Sequence, residues 1–178
     1  MSPQAVLNFW FVESTPKQRF SKDEAFDATI RDRFLGTYRA ILAGETAQWR
    51  ATPEGRLAEI IVLDQFARNM FRGSPEAFAA DGRALELAEE AIRAGADARL
   101  PRHMRQFLYM PFMHSESRNA HRKALWLFLK SLNFEALRYE IQHKRVIDRF
   151  GRYPHRNAVL GRESTPEEKE FLKTHTGW

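Results

Sequence analysis

Five of the eight prolines directly follow a serine or a threonine, and this pairing constrains the fold more than any other feature. The pairs are Ser2-Pro3, Thr15-Pro16, Thr52-Pro53, Ser74-Pro75 and Thr165-Pro166. At a helix N-cap the hydroxyl accepts a backbone N–H, and a proline in the next position already has the helical φ angle. Each pair therefore predicts a helix start. A glutamate three residues later, Glu168 after Thr165 and Glu24 after Ser21, predicts two capping boxes.

Apolar residues between these starts recur at helical intervals. One stripe comprises Phe26, Ile30, Phe34, Tyr38 and Ile41, and a second comprises Leu57, Ile60, Ile61, Leu63, Phe66 and Met70. Further helices are expected at 82–95, 101–113, 116–131 and 134–150 and from 166 onward. Glycine, which readily ends a helix, follows at positions 44, 73, 95 and 151. No alternating strand pattern is present, so the sequence predicts an all-α fold of antiparallel helix hairpins.

The size and composition of the chain suit one core. It has 178 residues, of which 43% are hydrophobic, so we expect a single helical domain over residues 1–178. The absence of cysteine excludes disulfides, cysteine-ligated zinc and thiol nucleophiles. No apolar run approaches the ~20 residues of a membrane helix. No basic leader precedes the first hydrophobic stretch. We therefore expect a cytoplasmic protein with no membrane partner.

Positive charge is concentrated between residues 101 and 162. This stretch has thirteen Lys and Arg against four Asp and Glu, whereas the rest of the chain has fifteen against nineteen. It also holds five of the six histidines: His103, His114, His121, His143 and His155. Such a gradient indicates that this part of the chain receives an anionic group.

Three segments place polar side chains among apolar ones. In the first, Asp64, Arg68 and Arg72 are spaced by four and share one helix face, with Asn69 on the adjoining row. This pattern is typical of a partly buried anion-binding wall, or of an ordinary ion pair on a solvated face. The Arg-Asn pattern recurs in the range 118–122, and we attribute the repetition to chance.

The second segment, Leu108 to Glu116, contains Pro111, which bends or ends the helix because it cannot donate a backbone hydrogen bond. His114 and Glu116 then lie at a helix end, where polar groups often line a pocket. The alternative is a packed His114 beside Ser115 acting as the N-cap of the next helix.

The third segment runs from His143 to Arg162. His143 lies on the helix stripe that faces the core, and His155, Arg156 and Asn157 follow on irregular backbone. Cationic side chains this close together repel one another unless an anion or a carboxylate lies nearby. The candidate carboxylates of the chain are Asp64, Glu116 and Asp148. Alternatively, the arginines tie the last loop to helix ends.

The sequence implies no metal and no cofactor. His114, Glu116 and a distant histidine fit the two-histidine, one-carboxylate iron pattern loosely, but such spacing is common by chance. The motifs HExxH, GxSxG, GxGxxG and GxxxxGK[ST] are absent. The sequence therefore does not support four classes of protein: HExxH zinc proteases, GxSxG serine hydrolases, dinucleotide-binding folds and Walker NTPases.

Four motifs occur in a specific order: VLNFWF (Val6–Phe11), LDQFARNMFRG (Leu63–Gly73), YMPFMHSE (Tyr109–Glu116) and FGRYPHRNAVLGRESTPEE (Phe150–Glu168). With them the chain resembles, over essentially its whole length, the bacterial family called domain of unknown function 924. The resemblance implies an all-α fold with tetratricopeptide-like helix pairs in an α-α superhelix, and it leaves the activity open. Ala67 stands where the family pattern has proline, so the helix there should be less interrupted.

The leading hypothesis is a cleft that binds an anionic small molecule or an acidic peptide group. Its lining would comprise Asp64, Arg68, Asn69, Arg72, His114, Glu116, His143, His155, Arg156 and Asn157. Arg68 and Arg156 would hold the anion, and Asn157 would orient it. His114 or His155 would act as the acid/base group in any catalysis.

Two alternatives stay open. A protein-interaction scaffold of helical-repeat type would use the same residues as structural staples, buried and mutually paired. RNA or DNA binding would combine the arginines with aromatic stacking surfaces, but the cations do not form a long basic stripe. No pattern in the sequence indicates the oligomeric state or a particular reaction.

Overall fold

The structure, a computed structural model, describes residues 1–175 and Gly177. These residues form helices and short loops without a strand, which confirms the predicted all-α class. The α-helices are α1 (Pro3–Asn8), α2 (Pro16–Phe20), α3 (Glu24–Leu42), α4 (Pro53–Ile61), α5 (Ala67–Met70), α6 (Glu76–Ala79), α7 (Asp81–Arg93), α8 (Ala96–Arg99), α9 (Arg102–His114), α10 (Arg118–Lys130), α11 (Phe134–Phe150) and α12 (Pro166–Leu172). Two π-helical turns (Phe9–Glu13, Val62–Phe66) and two 3-10 turns (Ala47–Ala51, Pro154–Arg156) complete them.

The helices group into two compact units. The first unit is Met1–Arg72 with Glu76–Pro111, and the second is Gly73–Pro75 with Phe112–Trp178. The expectations of a single domain and of tetratricopeptide-like helix pairs stay predictions. None of the helices in the described part of the chain is long and apolar enough to cross a membrane.

Four of the five hydroxyl-proline pairs cap helices as predicted, whereas the helix after Ser74-Pro75 begins one residue later than expected, at Glu76. The hydroxyls of Ser2, Thr15, Thr52 and Thr165 accept backbone N–H groups at 3.3, 3.3, 3.0 and 3.2 Å. Thr165 and Glu168 form the expected capping box. The capping box predicted at Ser21 is wrong: Ser21 ends α2, and Asp23 caps α3 by accepting the Phe26 N–H at 3.0 Å. The Asp23 carboxylate lies closer to the first turn, and its negative charge suits the positive end of a helix.

Aromatic rings fill the core of the first unit. Phe34 packs on Phe66 with 4.7 Å between ring centroids, and Phe9 packs on Phe34 at 5.0 Å. All three side chains are buried. They come from the turn after α1, from α3 and from the turn after α4, so the aromatic cluster joins α3 to the two segments that begin at Ser2-Pro3 and Thr52-Pro53.

The α10–α11 hairpin forms the framework of the second unit. A three-residue loop, 131–133, connects the two helices. Val146 and Ile147 of α11 form a buried cluster with Tyr153, and Phe150 and Phe171 pack against it. Gly151 ends α11 with a φ of 72°, and its N–H donates to the Ile147 carbonyl at 2.9 Å. This left-handed turn directs the following residues, 152–162, back toward the start of α10.

Helix continuity at Pro111 and Ala67 follows the sequence in part. Of the two outcomes expected at Pro111, a bend or an end, the helix does not end there, because α9 continues through Pro111 to His114. At Ala67, helical backbone runs on from α4 into α5, as expected from the missing proline, but it widens into the π-helical turn Val62–Phe66. Such wide turns insert one extra residue per turn and shift the side chains that follow.

Candidate functional site

The π-helical turn Val62–Phe66 of the first unit buries Asp64 and points it at Arg68. The Arg68 guanidinium lies 3.2 Å from an Asp64 carboxylate oxygen and also bonds both carboxylate oxygens of Asp81, at 3.0 and 3.1 Å. Gln65 donates to the other Asp64 oxygen at 2.6 Å. Arg68 therefore already holds two carboxylates of its own unit.

Asn69 and Arg72 meet a carboxylate that the sequence analysis did not select. Asn69 donates to Asp27 at 2.7 Å, and Arg72 donates to both Asp27 oxygens at 2.6 and 2.9 Å. Burial alone would raise the pKa of Asp27, but the hydrogen bonds from Arg72 and Asn69 outweigh it and lower the pKa. This arrangement ties α5 and Arg72, the second residue after it, to α3.

In the second unit, Glu116 joins the start of α10 to the last loop. Its two oxygens accept from Arg162 at 2.8 and 3.0 Å, and one also accepts the Tyr153 N–H at 2.7 Å. Burial alone would raise the pKa of Glu116, but the bonds from Arg162 and Tyr153 lower it. Glu116 is therefore a fully bonded carboxylate.

Arg156 and Asn157 are both buried and face protein groups. An Arg156 guanidinium nitrogen donates to the His114 carbonyl at 2.9 Å. The central carbon of the same guanidinium lies 4.6 Å from the centroid of the Tyr153 ring. The Asn157 amide donates to Ser164 at 3.0 Å and to Glu168 at 3.3 Å. These contacts fasten the 3-10 turn Pro154–Arg156.

Histidine rings surround the buried Tyr153. The ring centroid of Tyr153 lies 5.9 Å from that of His143 and 5.4 Å from that of His155. His114 in turn lies 6.4 Å from His143. The Nδ1 of His143 bonds the Tyr139 carbonyl at 2.8 Å. Burial lowers the pKa of His143 to about 3, so this ring is neutral at physiological pH and cannot attract an anion by charge.

The structure adds a buried acid-base pair that the sequence analysis missed. His121 Nδ1 lies 2.8 Å from a Glu140 oxygen, and its Nε2 lies 2.8 Å from the Ser115 carbonyl and 3.2 Å from the Tyr153 hydroxyl. His121, Glu140 and Tyr153 are fully buried, and burial raises the pKa of Glu140. A signal was present, because His121 and Glu140 fall on the apolar faces of two predicted helices, where a polar residue needs a partner.

An open depression of about 460 Å³ lies at the start of α10. Its lining comprises Glu116, Ser117, Arg118, Asn119, Arg122 and Gly151. Arg118 donates to the Asp148 backbone carbonyl at 3.1 Å. Neither Arg118 nor Arg122 forms an ion pair with a carboxylate of any described residue. The lining therefore carries two guanidinium charges that the protein does not neutralise by ion pairing.

Residues 6–176 match a protein family described as bacterial proteins of unknown function, DUF924. The chain belongs to this family. A solved structure of a protein of unknown function from Agrobacterium tumefaciens is similar to the DUF924 chain, with 38% identity, a TM-score of 0.92 and 97% of each chain covered. No curated protein matches the chain.

The site residues predicted for this DUF924 protein fall into two sets. Asp64, Arg68, Asn69 and Arg72 lie in the first unit, and His114, Glu116, His143, His155, Arg156 and Asn157 lie in the second. Their convergence on a single cleft stays a prediction. Of the ten, Glu116 lines the depression. The lining also contains Arg118, Asn119 and Arg122. These three residues belong to the second Arg-Asn pattern, whose repetition was attributed to chance.

A metal ion in the DUF924 chain would need several His, Asp or Glu side chains directed at one point. Among the described residues, no group of three or more His, Asp or Glu side chains is arranged to hold one. The histidines around Tyr153 are spread around an aromatic ring, whereas metal ligands must converge on one point.

Proposed function

We propose that the protein binds an anionic group, a carboxylate or a phosphate, in the depression formed by Glu116, Ser117, Arg118, Asn119, Arg122 and Gly151. The observation that carries the proposal is the unbalanced charge of this lining. Among the described residues, neither Arg118 nor Arg122 forms a close ion pair with a carboxylate, although the charge of Arg118 helps to lower the pKa of the nearby Asp148. The single carboxylate of the lining, Glu116, is already neutralised by Arg162.

The contrast with the other arginines of the predicted site supports this choice. Arg68 and Arg72 each hold carboxylates of the first unit. Arg156 is buried over an aromatic ring. A bound anion would have to displace these contacts, whereas Arg122 is exposed and would exchange only water for the ligand.

The backbone at the depression adds to the attraction. Ser117 caps α10, a helix of 13 residues, and its hydroxyl accepts the Ala120 N–H at 3.4 Å. Arg118 and Arg122 follow at positions four apart, so they project from the same side of the first two turns of α10. The positive end of the helix and two guanidinium groups therefore act on the same space.

We propose binding without turnover as the function of this depression. The candidate acid/base residues His114 and His155 are not among the described residues that line it. The ligand class is an anionic small molecule or an acidic peptide group, because the open shape of the depression admits either. We propose neither nucleic acid nor a membrane as a partner of the depression. A cytoplasmic location accords with a chain that contains no cysteine.

Titration calorimetry with inorganic phosphate, succinate and a glutamate-rich peptide tests the proposal. We expect saturable binding that weakens with added salt, because the arginines are exposed. The Arg122→Gln variant should bind about tenfold more weakly, which corresponds to the loss of about one charge-assisted hydrogen bond. In thermal unfolding, a ligand at about 100 times its dissociation constant should add about 2.7 kcal/mol to the free energy of unfolding.

Arg93→Gln provides the matched control. Arg93 is an exposed arginine near the end of α7, in the first unit, and this variant removes the same charge away from the depression. If Arg93→Gln weakens binding as much as Arg122→Gln, the effect is one of net charge and the proposal is wrong. Absence of saturable binding by all three probes at low salt would also contradict it.

A further inference from the structure

Large apolar side chains are exposed at the tip of the α10–α11 hairpin and on the adjoining turns of both helices. Within nine residues, four of them are more than half exposed: Trp126 (56%), Leu129 (53%), Leu132 (57%) and Phe134 (64%). Isolated exposed apolar side chains are ordinary, but several at one end of a helix hairpin indicate an interaction surface. We call this surface the hairpin face and define it as Trp126, Leu129, Lys130, Leu132, Phe134, Arg138 and Ile141.

Leu132 occupies a backbone position that favours glycine. It follows the end of α10 with a φ of 54°, and its N–H donates to the Leu129 carbonyl at 2.9 Å. Glycine adopts this left-handed conformation without steric cost, whereas a leucine is strained there. The strained leucine also leaves more than half of its surface in water. Both costs fall on one side chain, which indicates that its surface is used.

Cations alternate with the apolar side chains of the hairpin face. The Lys130 ammonium lies 4.8 Å from the centroid of the Trp126 ring, and Arg138 follows Phe134 by four residues, one helical turn. Neither Lys130 nor Arg138 forms an ion pair with another residue in the described part of the chain. Of the seven residues that define the hairpin face, two are cations and none is Asp or Glu. The occupant of this face should therefore be both apolar and acidic.

We infer that the hairpin face docks an acidic amphipathic helix of another protein. The partner helix would carry apolar anchors one turn apart, with Asp or Glu between them on the same face. The anchors would contact Trp126, Leu132 and Phe134, and the carboxylates would meet Lys130 and Arg138. Trp and Arg are the side chains that contribute most to such interfaces. This helix-on-helix docking is a general mode of peptide recognition.

Two other occupants fit the charge pattern less well. A second copy of this chain, docked symmetrically, would bring together two faces that carry cations and no carboxylate, and like charges repel. A helix that lies in a membrane surface separates its cations and its apolar side chains onto opposite faces. Here they share one face at helical spacing, which suits paired anchors and carboxylates on a partner helix.

The test uses a fluorescein-labelled helical peptide with leucines one turn apart and glutamates between them on the same face. Two matched peptides serve as controls: one with lysine in place of each glutamate, and one with the leucines distributed around the helix. By fluorescence anisotropy at low salt, we expect the acidic peptide to bind at least about tenfold more tightly than either control. In NMR spectra, the indole N–H of Trp126 should shift while those of the buried Trp10 and Trp49 should not.

Variants separate binding from folding. Leu132→Gly should maintain or raise the free energy of unfolding, because glycine relieves the strain, and yet weaken peptide binding several-fold. Arg138→Glu should weaken binding at least about tenfold. Leu42→Ala, at an exposed leucine that ends α3 in the first unit, should leave binding unchanged.

Several results would overturn the inference. These are equal affinity for the acidic and lysine peptides, unchanged binding by both Leu132→Gly and Arg138→Glu, or a concentration-dependent dimer that Leu132→Gly abolishes. Tighter binding to anionic lipid vesicles than to the acidic peptide would also overturn it. Because Arg122 lies outside the hairpin face, Arg122→Gln should not affect peptide binding there, so failure here is distinguishable from failure of the anion-binding proposal.

Discussion

Glu116 and Arg162, forty-six residues apart, form a two-point ion pair with nitrogen–oxygen distances of 2.8 and 3.0 Å. Arg162 also donates to the Tyr153 carbonyl at 3.2 Å, whereas Glu116 accepts the Tyr153 N–H at 2.7 Å. The pair therefore holds both backbone groups of one buried residue. It also neutralises the carboxylate in the lining of the depression, so the charges of Arg118 and Arg122 remain for a ligand.

Glu116→Gln should lower the free energy of unfolding by about 2 kcal/mol, because it leaves a mostly buried guanidinium without its charged partner. Urea unfolding monitored by circular dichroism measures the loss. Glu167→Gln is the matched control: Glu167 pairs with Arg149 at 2.7 Å, but both side chains are exposed. That variant should lose less than about 1 kcal/mol. Equal losses in the two variants would show that the Glu116 pair does not fasten the last loop.

Acid should weaken the fold through His143. Its pKa is lowered from 6.5 to about 3 by burial, so the folded protein disfavours the proton that the unfolded chain accepts below pH 6.5. The stability is therefore complete above pH 6.5 and falls as the pH decreases toward 3. Between pH 7 and pH 5 the wild type should lose about 2 kcal/mol more than His143→Gln, as measured by urea unfolding at both pH values. Equal losses in the wild type and in His143→Gln would mean that groups other than His143 cause the acid sensitivity.

The helices were predictable because their signals are local. A hydroxyl before proline caps a helix using atoms three residues away, and Gly151 ends α11 through its own φ angle. The Ser21 capping box failed because Asp23 competes for the same first turn. The π-helical turn Val62–Phe66 left no sequence signal, because apolar residues on both sides of it suit a helix of either width.

The partners of the polar side chains were less predictable, because they come from distant segments. Arg72 was placed on an anion-binding wall or in an ordinary ion pair, and its carboxylate partner Asp27 lies forty-five residues earlier on α3. Glu116 was identified as a candidate counter-charge, whereas its partner Arg162 was not in the predicted site. Arg118 and Arg122 were missed for a different reason: what distinguishes them is the absence of an ion pair among the described residues, and spacing alone does not reveal that.

Glu168 should stabilise the fold at neutral pH and lose this contribution in acid, because its pKa is lowered in the folded protein. Hydrogen bonds from Arg152, at 2.7 and 2.8 Å, lower the pKa of Glu168 from 4.5 to about 2. The folded protein thus favours the carboxylate. Its stabilisation is complete above pH 4.5 and is lost as the pH falls toward 2. Glu168→Gln should lower the free energy of unfolding by about 1–2 kcal/mol at pH 7 and by progressively less below pH 4.5.

Urea unfolding of the wild type and Glu168→Gln between pH 7 and pH 3 measures this difference. Glu170→Gln, at an exposed position on the same helix, controls for the change of charge. A constant difference between the wild type and Glu168→Gln across this range would mean that the glutamate acts by packing and not by its charge.

Alanine substitutions at two helical glycines should change stability in opposite directions. At Gly55 in α4, a Cβ would lie 1.9 Å from the Trp49 carbonyl oxygen, which belongs to rigid backbone of the preceding 3-10 turn. Gly55→Ala should therefore lower the free energy of unfolding by about 3 kcal/mol. At Gly36 in α3, a Cβ would meet nothing within 4 Å, so Gly36→Ala should raise it by about 1 kcal/mol through helix propensity alone. Both variants add one methyl group to a helix, so urea unfolding isolates the effect of the close contact. If Gly55→Ala is as stable as Gly36→Ala, the turn at Ala47–Ala51 does not pack on α4 as described.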